Sequence, residues 1–408
     1  MAFSTMSFAL CGLKIFQSIR ILMHDNVVLI ITISLIIIST PFFAKLLKLP
    51  TTPIEIIFGS ILSYVGFIHT EHLFEVVAEL GFLYLMFIAG TEINLKKVLK
   101  TPKELMKKIV LYLIILYAFS IVVSLYFDLG KIFMVLLPLI SVGLIASLSK
   151  EYGKTPWLGL SMTAGAVGEV VSIGFLTLTS AALESGFGSG LIKTIAALIL
   201  FLLFMFLLFR AMEILFWWFP GVSTSLMPVD DNKEQDIRLS MGIFFLLVGA
   251  MLYLELELAF GAFLAGIFIP TFFEHKHELP EKLASYGFGF LIPIFFIYIG
   301  SSFDLAALTM NGLIYKALSI AAFMIVIRVI ASLVFVKELG LVDAILMGLS
   351  HSMPLTLLIA MATLAYQGSS IDTLHYYAFI LAALFQVISV MIIIKLINNF
   401  KVRGDASV

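Results

Sequence analysis

A succession of uninterrupted apolar runs, each about 20 residues long, most constrains what this 408-residue chain can fold into. A helix of that length crosses the hydrocarbon core of a bilayer, whereas a barrel strand would alternate apolar and polar residues. Hydrophobic residues make up 61% of the chain and charged residues 12%. Ordinary soluble chains run at about 45–50% and about 25%. No soluble core of this size hides such an excess, so a water-soluble enzyme, a nucleic-acid binder and a disordered chain are excluded. The net charge of −1 indicates no acidic or basic partner. The single cysteine, Cys11, permits no intramolecular disulfide and no cysteine-based metal site.

The runs predict an all-α polytopic membrane protein of about thirteen spans. They cover roughly 26–46, 53–69, 73–93, 108–127, 131–149, 157–182, 190–218, 241–256, 258–273, 284–302, 312–336, 341–366 and 375–397. Spans eight and nine are parted only by the LELEL stretch around Glu255 and Glu257. Residues 1–25 carry Lys14 and Arg20 in an apolar run without a basic start or a cleavage site, and read as an interfacial segment. Residues 26–182 form a first set of six spans, 183–240 a linker span and polar cytoplasmic loop, and 241–397 a second set of six. The tail, 398–408, is expected to leave no room for a soluble regulatory domain. Eighteen lysines and arginines fall in alternate loops and the tail on one side, against five on the other. That bias predicts a cytoplasmic-membrane protein with its N-terminus outside and its C-terminus inside.

The two sets look alike. Gly90–Leu95 (GTEINL) and Gly300–Leu305 (GSSFDL) lie 210 residues apart, and FGSIL at 58–62 recurs as FGAFL at 260–264. Six spans plus a linker span invert the second set, and inverted repeats place a site near the midplane where interrupted helices meet. Span five contains Pro138, Ser141, Gly143 and Ser147. The matching part of span twelve reads GLSHSMPL, with Gly348, Ser350, His351, Ser352 and Pro354. Proline removes a backbone donor and glycine weakens a helix, so both spans are expected to break.

A charge at a helix centre costs roughly 2.5–3.5 kcal/mol on insertion scales, so intramembrane ionisable residues mark function. The acids near span ends, among them Glu55, Glu71, Glu92, Asp304 and Asp343, are expected to be solvated. Glu169 is central in span six, flanked by Gly165, Ala166, Gly168 and Ser172, which allow close helix approach. Arg328 lies inside span eleven. The two read either as a structural ion pair or as a carboxylate for cation or proton with a competing counter-charge. Glu79, six residues into span three, reads as a structural acid hydrogen-bonded to a neighbouring helix. His351 is a proton relay or pH sensor, or else a buried hydrogen-bonded histidine. The EHKHE run, Glu274–Glu278, reads as a solvated loop, or else as a weak metal-binding or pH-sensing site through His275 and His277.

The segments VAELGFLYLMFIAGTEI, AFGAFLAGIFIP and FLIPIFFIYIGSSFDL, in that order, resemble monovalent cation:proton antiporters of the second family, the Kef-type and sodium/proton exchangers. The resemblance covers about 26–397. It implies a thirteen-span fold with a dimer domain, a mobile core of spans four to six and eleven to thirteen, and a homodimer in the bilayer. Spans five and twelve would be the crossing, unwound helices. The family's paired polar–acidic motif falls on Gly168-Glu169, its Ser/Thr element on Ser141-Val142-Gly143 and its basic residue on Arg328. Two departures stand out: Gly168 supplies no side chain, and Glu169 is one methylene longer than aspartate.

The expected ion and proton ligands are therefore Glu169, Ser141, Gly143, Ser350 and Ser352, with no resident metal and no cofactor. The expected function is secondary-active exchange of sodium or potassium for protons by alternating access. A Kef-like regulated potassium efflux channel with a separate cytosolic subunit and a sodium-coupled organic-anion symporter are the alternatives. No nucleophile–base constellation or metal-ligand spacing suggests an enzyme. Arginine stays protonated, and Gly168 contributes no acid, so one carboxylate carries one cation or one proton. Exchange in proteoliposomes is therefore expected to be electroneutral. A voltage-sensitive dye responding to a cation gradient would contradict that.

Overall fold

The computed structural model describes residues 27–405, apart from 48–49, 70, 128–131, 154, 186–188, 220, 223–233, 274–275 and 277. The N-terminal segment 1–25 and most of the EHKHE run lie outside the described residues. Every regular element among the described residues is helical. The first half comprises α1 (Val27–Leu47), α2 (Thr51–Tyr64), α3 (His72–Thr91), a short α4 (Leu95–Leu99) and α5 (Lys103–Tyr126). It continues with α6 (Phe133–Leu136), α7 (Gly143–Tyr152), α8 (Pro156–Ser185) and α9 (Ser189–Trp218). Beyond these come α10 (Gln235–Tyr253), α11 (Leu258–Phe272) and α12 (Leu279–Ser301), the last with a π turn at Gly287–Leu291. The chain ends with α13 (Leu313–Leu339), α14 (Leu341–Ser350), α15 (Leu355–Gln367) and α16 (Thr373–Asp405).

Nine of these helices are long and apolar enough to cross a membrane, among the described residues. The remaining expected spans correspond to the short helices α2 and α11 and to two helices broken midway, α6–α7 and α14–α15. The break in span five runs over Leu137–Val142 and holds Pro138; that in span twelve runs over His351–Pro354. Spans eight and nine do separate. Leu254–Glu257 leaves the helix, and Glu255 takes a left-handed φ of 54°.

Two compact units emerge from the packing. The first holds the described residues up to Phe82 together with Tyr286–Leu308. There α2 crosses α12 with backbone nearly touching backbone. A methyl group on Gly59 would run into the Ile297 carbonyl, and one on Gly300 into the Ile56 carbonyl. The crossing is tied by the Ser63 hydroxyl donating to the Ser301 carbonyl at 3.0 Å. Phe74 meets Tyr298 edge-on beside it.

The second unit holds Leu83–Ser285 and the chain from Thr309. It contains a crossing of the same kind between α3 and α11. A methyl on Gly90 would strike the Phe263 carbonyl, and one on Gly266 the Phe87 carbonyl. The Asn94 side-chain amide donates to the Pro270 carbonyl at 2.9 Å. In this unit α13 packs along α16 and against α14 and α5, while α8 packs against α14, α7 and α9.

Glu55 and Asp343 depart from expectation. They are buried, at 4% and 8% exposure, rather than solvated. Position along a helix gives depth, but not which side of the helix its neighbours cover.

The glycine crossings yield a stability prediction. Overpacking a close contact costs about 1–3 kcal/mol, so Gly266→Ala is expected to lower the melting temperature in detergent. Gly249→Ala, on α10 with open space around it, is expected to leave it unchanged or slightly higher. Equal melting of the two variants would show that the crossing tolerates a side chain.

Candidate ion site at the broken helices

The first break exposes backbone groups in an apolar interior, where each must find a partner. Two helices, α8 and α13, supply them. The Ile140 N–H donates to Ser172 Oγ at 3.0 Å, and the Val142 N–H donates to Glu169 Oε2 at 3.0 Å. The Ser141 hydroxyl donates to Glu169 Oε1 at 3.1 Å. The Leu139 carbonyl accepts from the Arg328 guanidinium, which also donates to the Met324 carbonyl at 2.7 Å. Glu169 and Arg328 are both fully buried. Hydrogen bonds to a charged group are worth about 1.5–3 kcal/mol each, so these contacts are strong enough to hold the unwound segment.

One face of α8 organises the site. Ser161, Gly165, Gly168, Glu169 and Ser172 follow helical spacing along it. Gly168 abuts the break: a Cβ there would lie 2.6 Å from Ile140 Cδ1 and 3.2 Å from Ile140 Cβ. The position where the resemblance suggests a polar side chain is thus filled from the opposite side by isoleucine.

Two turns earlier, α8 meets the second break. His351 Nε2 lies 3.0 Å from the Ser161 carbonyl, and its Nδ1 lies 2.8 Å from the Tyr112 hydroxyl of α5. A carbonyl only accepts, so these partners assign the proton to Nε2, and Nδ1 accepts from tyrosine. Ser350 Oγ is 2.7 Å from the Met347 carbonyl and 3.0 Å from Ser161 Oγ. Ser352 donates back to the Gly348 carbonyl at 2.8 Å.

Of the residues singled out in the sequence, Ser141 and Glu169 are in direct contact, and Gly143 opens α7 just after the break. Arg328 reaches the same segment through Leu139 and forms no ion pair with Glu169 among the described residues. Ser350, His351 and Ser352 form the second break, with their hydrogen bonds directed to α5, α8 and their own helix. Glu79 is exposed on α3, near enough to Tyr298 of α12 for its charge to act there.

Sequence reasoning took Ser172 only for a small residue that allows close helix approach, and passed over Tyr112, Ser161 and Gln386. Ser172 sits three residues from Glu169, one helical turn away, and that spacing was a usable signal. Gln386 is fully buried on α16, and neither end of its amide is hydrogen-bonded among the described residues. A search restricted to ionisable residues does not find it. No group of three His, Cys, Asp or Glu side chains converges to hold a metal, among the described residues.

The profile of the transmembrane family described as "Sodium/hydrogen exchanger, transmembrane" matches residues 28–397. The chain belongs to this family. It is 23% identical over 389 residues to the putative Na(+)/H(+) antiporter YjbQ of Bacillus subtilis strain 168, covering 88% of this chain and 61% of that protein. The chain therefore spans about three fifths of that relative's length. It is 24% identical over 284 residues to the ammonium/H(+) antiporter subunit AmhT of Alkalihalophilus pseudofirmus, covering 66% and 68% of the two chains. The fold is shared with the sodium proton antiporter MjNhaP1 of Methanocaldococcus jannaschii, solved at pH 8. The TM-score is 0.62 at 15% identity, over 92% of this chain and 97% of that one. These relatives are named as transporters, not enzymes.

Within this family member, Gly168 and Ile140 form a testable pair. Gly168→Ala is expected to destabilise the protein, and Ile140→Ala is expected to relieve that cost. Contacting residues couple by about 0.5–3 kcal/mol. Additive effects on thermal stability in a double-mutant cycle would show that the two do not share the space.

Proposed function

We propose that this chain is a secondary-active antiporter that exchanges a monovalent cation, sodium or potassium, for a proton at Glu169. One observation carries the reading: in a member of the sodium/hydrogen exchanger family, a fully buried carboxylate accepts from Val142 N–H and Ser141 hydroxyl inside a helix break.

The chemistry follows from the donors. A hard cation takes oxygen ligands, and this region offers a carboxylate, a serine hydroxyl and carbonyls released from helical bonding. A single carboxylate neutralises one cation or binds one proton, so the two compete. Arg328 influences the site through the Leu139 carbonyl, holding the segment that carries Ser141 and Val142. With Gly168 lacking a side chain, no second acid joins Glu169 from that position, which supports electroneutral exchange.

Alternating access through inverted repeats is part of the proposal. An offset of 207 residues carries Ser63 to Pro270 and Asn94 to Ser301, so the hydrogen bonds that tie the two glycine crossings exchange with one another. The same offset carries Gly59 to Gly266 and Gly90 to Ile297, which belong to the same close approaches. The two breaks, around Ser141 and around His351, lie 210 residues apart. These correspondences support a first repeat at 26–182, a linker at 183–240 and a second repeat at 241–397. A cytoplasmic-membrane location with the N-terminus outside rests on the lysine and arginine bias, and the homodimer on the family resemblance.

The test is proton movement in proteoliposomes driven by sodium, potassium, lithium or ammonium across a pH series. Glu169→Gln keeps the shape but not the charge, and is expected to reduce exchange to the level of empty vesicles at normal expression. Retained exchange would remove Glu169 from its role. Serine-to-alanine substitution at Ser141 is expected to raise the cation KM while leaving some turnover.

A further inference from the structure

A cluster of three titratable side chains lies in the second unit, away from Glu169. Lys316, in the first turn of α13, places its Nζ 3.1 Å from His375 Nε2. His375, at the start of α16, places Nδ1 2.7 Å from Asp372 Oδ1, and its backbone N–H donates to the same oxygen at 2.8 Å. The cluster faces a cavity of about 580 Å³ walled by Phe127, Phe133, Tyr315 and Phe323. The ring of Phe133 meets that of His375 edge-on at 5.5 Å. Phe133 opens α6, the short helix that runs directly into the Leu137–Val142 break.

The chemistry of this arrangement depends on the charge of the histidine. A lysine ammonium only donates, so the 3.1 Å contact needs an unprotonated Nε2 as acceptor. Asp372 then takes the Nδ1 proton. Partial burial raises the Asp372 carboxyl, but the hydrogen bonds from His375 and the charges of His375 and Lys316 outweigh it and hold the group below its ordinary range. Asp372 is therefore held as the ionised partner of the histidine. Protonating Nε2 would set two cationic donors against each other and end the Lys316–His375 bond, while the Asp372 bond would survive. Among the described residues lining the cavity, α13 contributes Lys316 and Tyr315, and the segment before α16 contributes Asp372. Among the described residues, the ends of α5 and α6 contribute Phe127 and Phe133 to the lining.

We propose that His375 is a second proton-binding site, distinct from the transport carboxylate, and that its protonation opens the Lys316–His375 clasp between α13 and α16 and so quickens exchange. The site lies on the face that the lysine and arginine count assigns to the outside. Its link to transport runs through Phe133 into α6 and the broken segment, and through α13, which also carries Arg328. The transport consequence rests on the antiport reading; the proton site itself does not.

The experiment has two arms. In detergent, the imidazole of His375 is titrated by NMR with labelled histidine, its resonance identified by its loss in His375→Gln. Lys316→Gln is expected to raise the midpoint and Asp372→Asn to lower it, each by several tenths of a pH unit or more. Unchanged midpoints in both variants would overturn the proton site, whether or not the protein transports. In proteoliposomes, pH is varied on the cluster's face with the other face fixed. Wild type is expected to show a several-fold rise in rate through the histidine range, absent in His375→Gln and Lys316→Gln. The same rise in all three proteins, or none in an active wild type, would overturn the link to transport. Absence of cation-driven proton movement at every pH would count against the antiport reading, and with it against this link.

Discussion

The unwound stretch Leu137–Val142 is the constraint on which the site depends. Backbone groups released from a helix inside an apolar bundle must be satisfied by other parts of the protein. Here the partners are side chains from two helices: Glu169 and Ser172 on α8, Arg328 on α13. On the proposed reading, the Glu169 contacts that keep this segment in place are also the ones that an ion would engage. A carboxylate accepts from both Val142 N–H and the Ser141 hydroxyl. Once one oxygen carries a proton or faces a cation, its acceptor capacity falls and those bonds weaken or rearrange. On that reading, loading the site and altering the backbone that frames it would be one physical event.

Glycine sets how closely the elements approach, and so what else the site can contain. Gly168 admits the side chain of Ile140 where a larger residue would stand off the segment. That arrangement exchanges a polar group for packing and leaves Glu169 as the one acid contributed by this pair of positions. The crossings at Gly59–Gly300 and Gly90–Gly266 do the same for architecture. Without side chains at the contact, α2 and α12, and separately α3 and α11, can cross with carbonyls in near contact. Packing of this kind suits a bilayer, where burying apolar surface gives no net drive to helix association.

Much of this was legible before any coordinates. Hydropathy marks each apolar run, and Pro138 and Pro354 mark the two breaks. Glu169 and Arg328 stand out because charge is costly where they lie. Hydropathy does not give direction around a helix axis, and the misreadings trace to that. Glu55 and Asp343 lie near helix ends but face inward, while Glu79 lies deeper along its helix and faces outward. The partnership of Glu169 with Arg328 was visible only as a pairing of opposite charges. In the structure both act on one backbone segment, two or three residues apart, without touching each other. Tyr112 and Gln386 carried no signal, because a tyrosine or a glutamine in an apolar run is ordinary until its surroundings are known.

The two breaks, 210 residues apart in the chain, also differ in what holds them. His351 gives one ring nitrogen to the Ser161 carbonyl and the other to the Tyr112 hydroxyl, and Ser350 and Ser352 bond to neutral groups. A proton added to Nδ1 would meet the tyrosine oxygen only after that hydroxyl gave up its donating role. Charge at this break therefore costs an existing hydrogen bond as well as desolvation. At the first break a proton or cation also falls on an acceptor already in use, but there it neutralises a buried carboxylate instead of creating a buried charge. On the proposed reading, this unequal chemistry divides the labour: the first break is suited to change state with its load, and the second to stay fixed as the surface against which it changes.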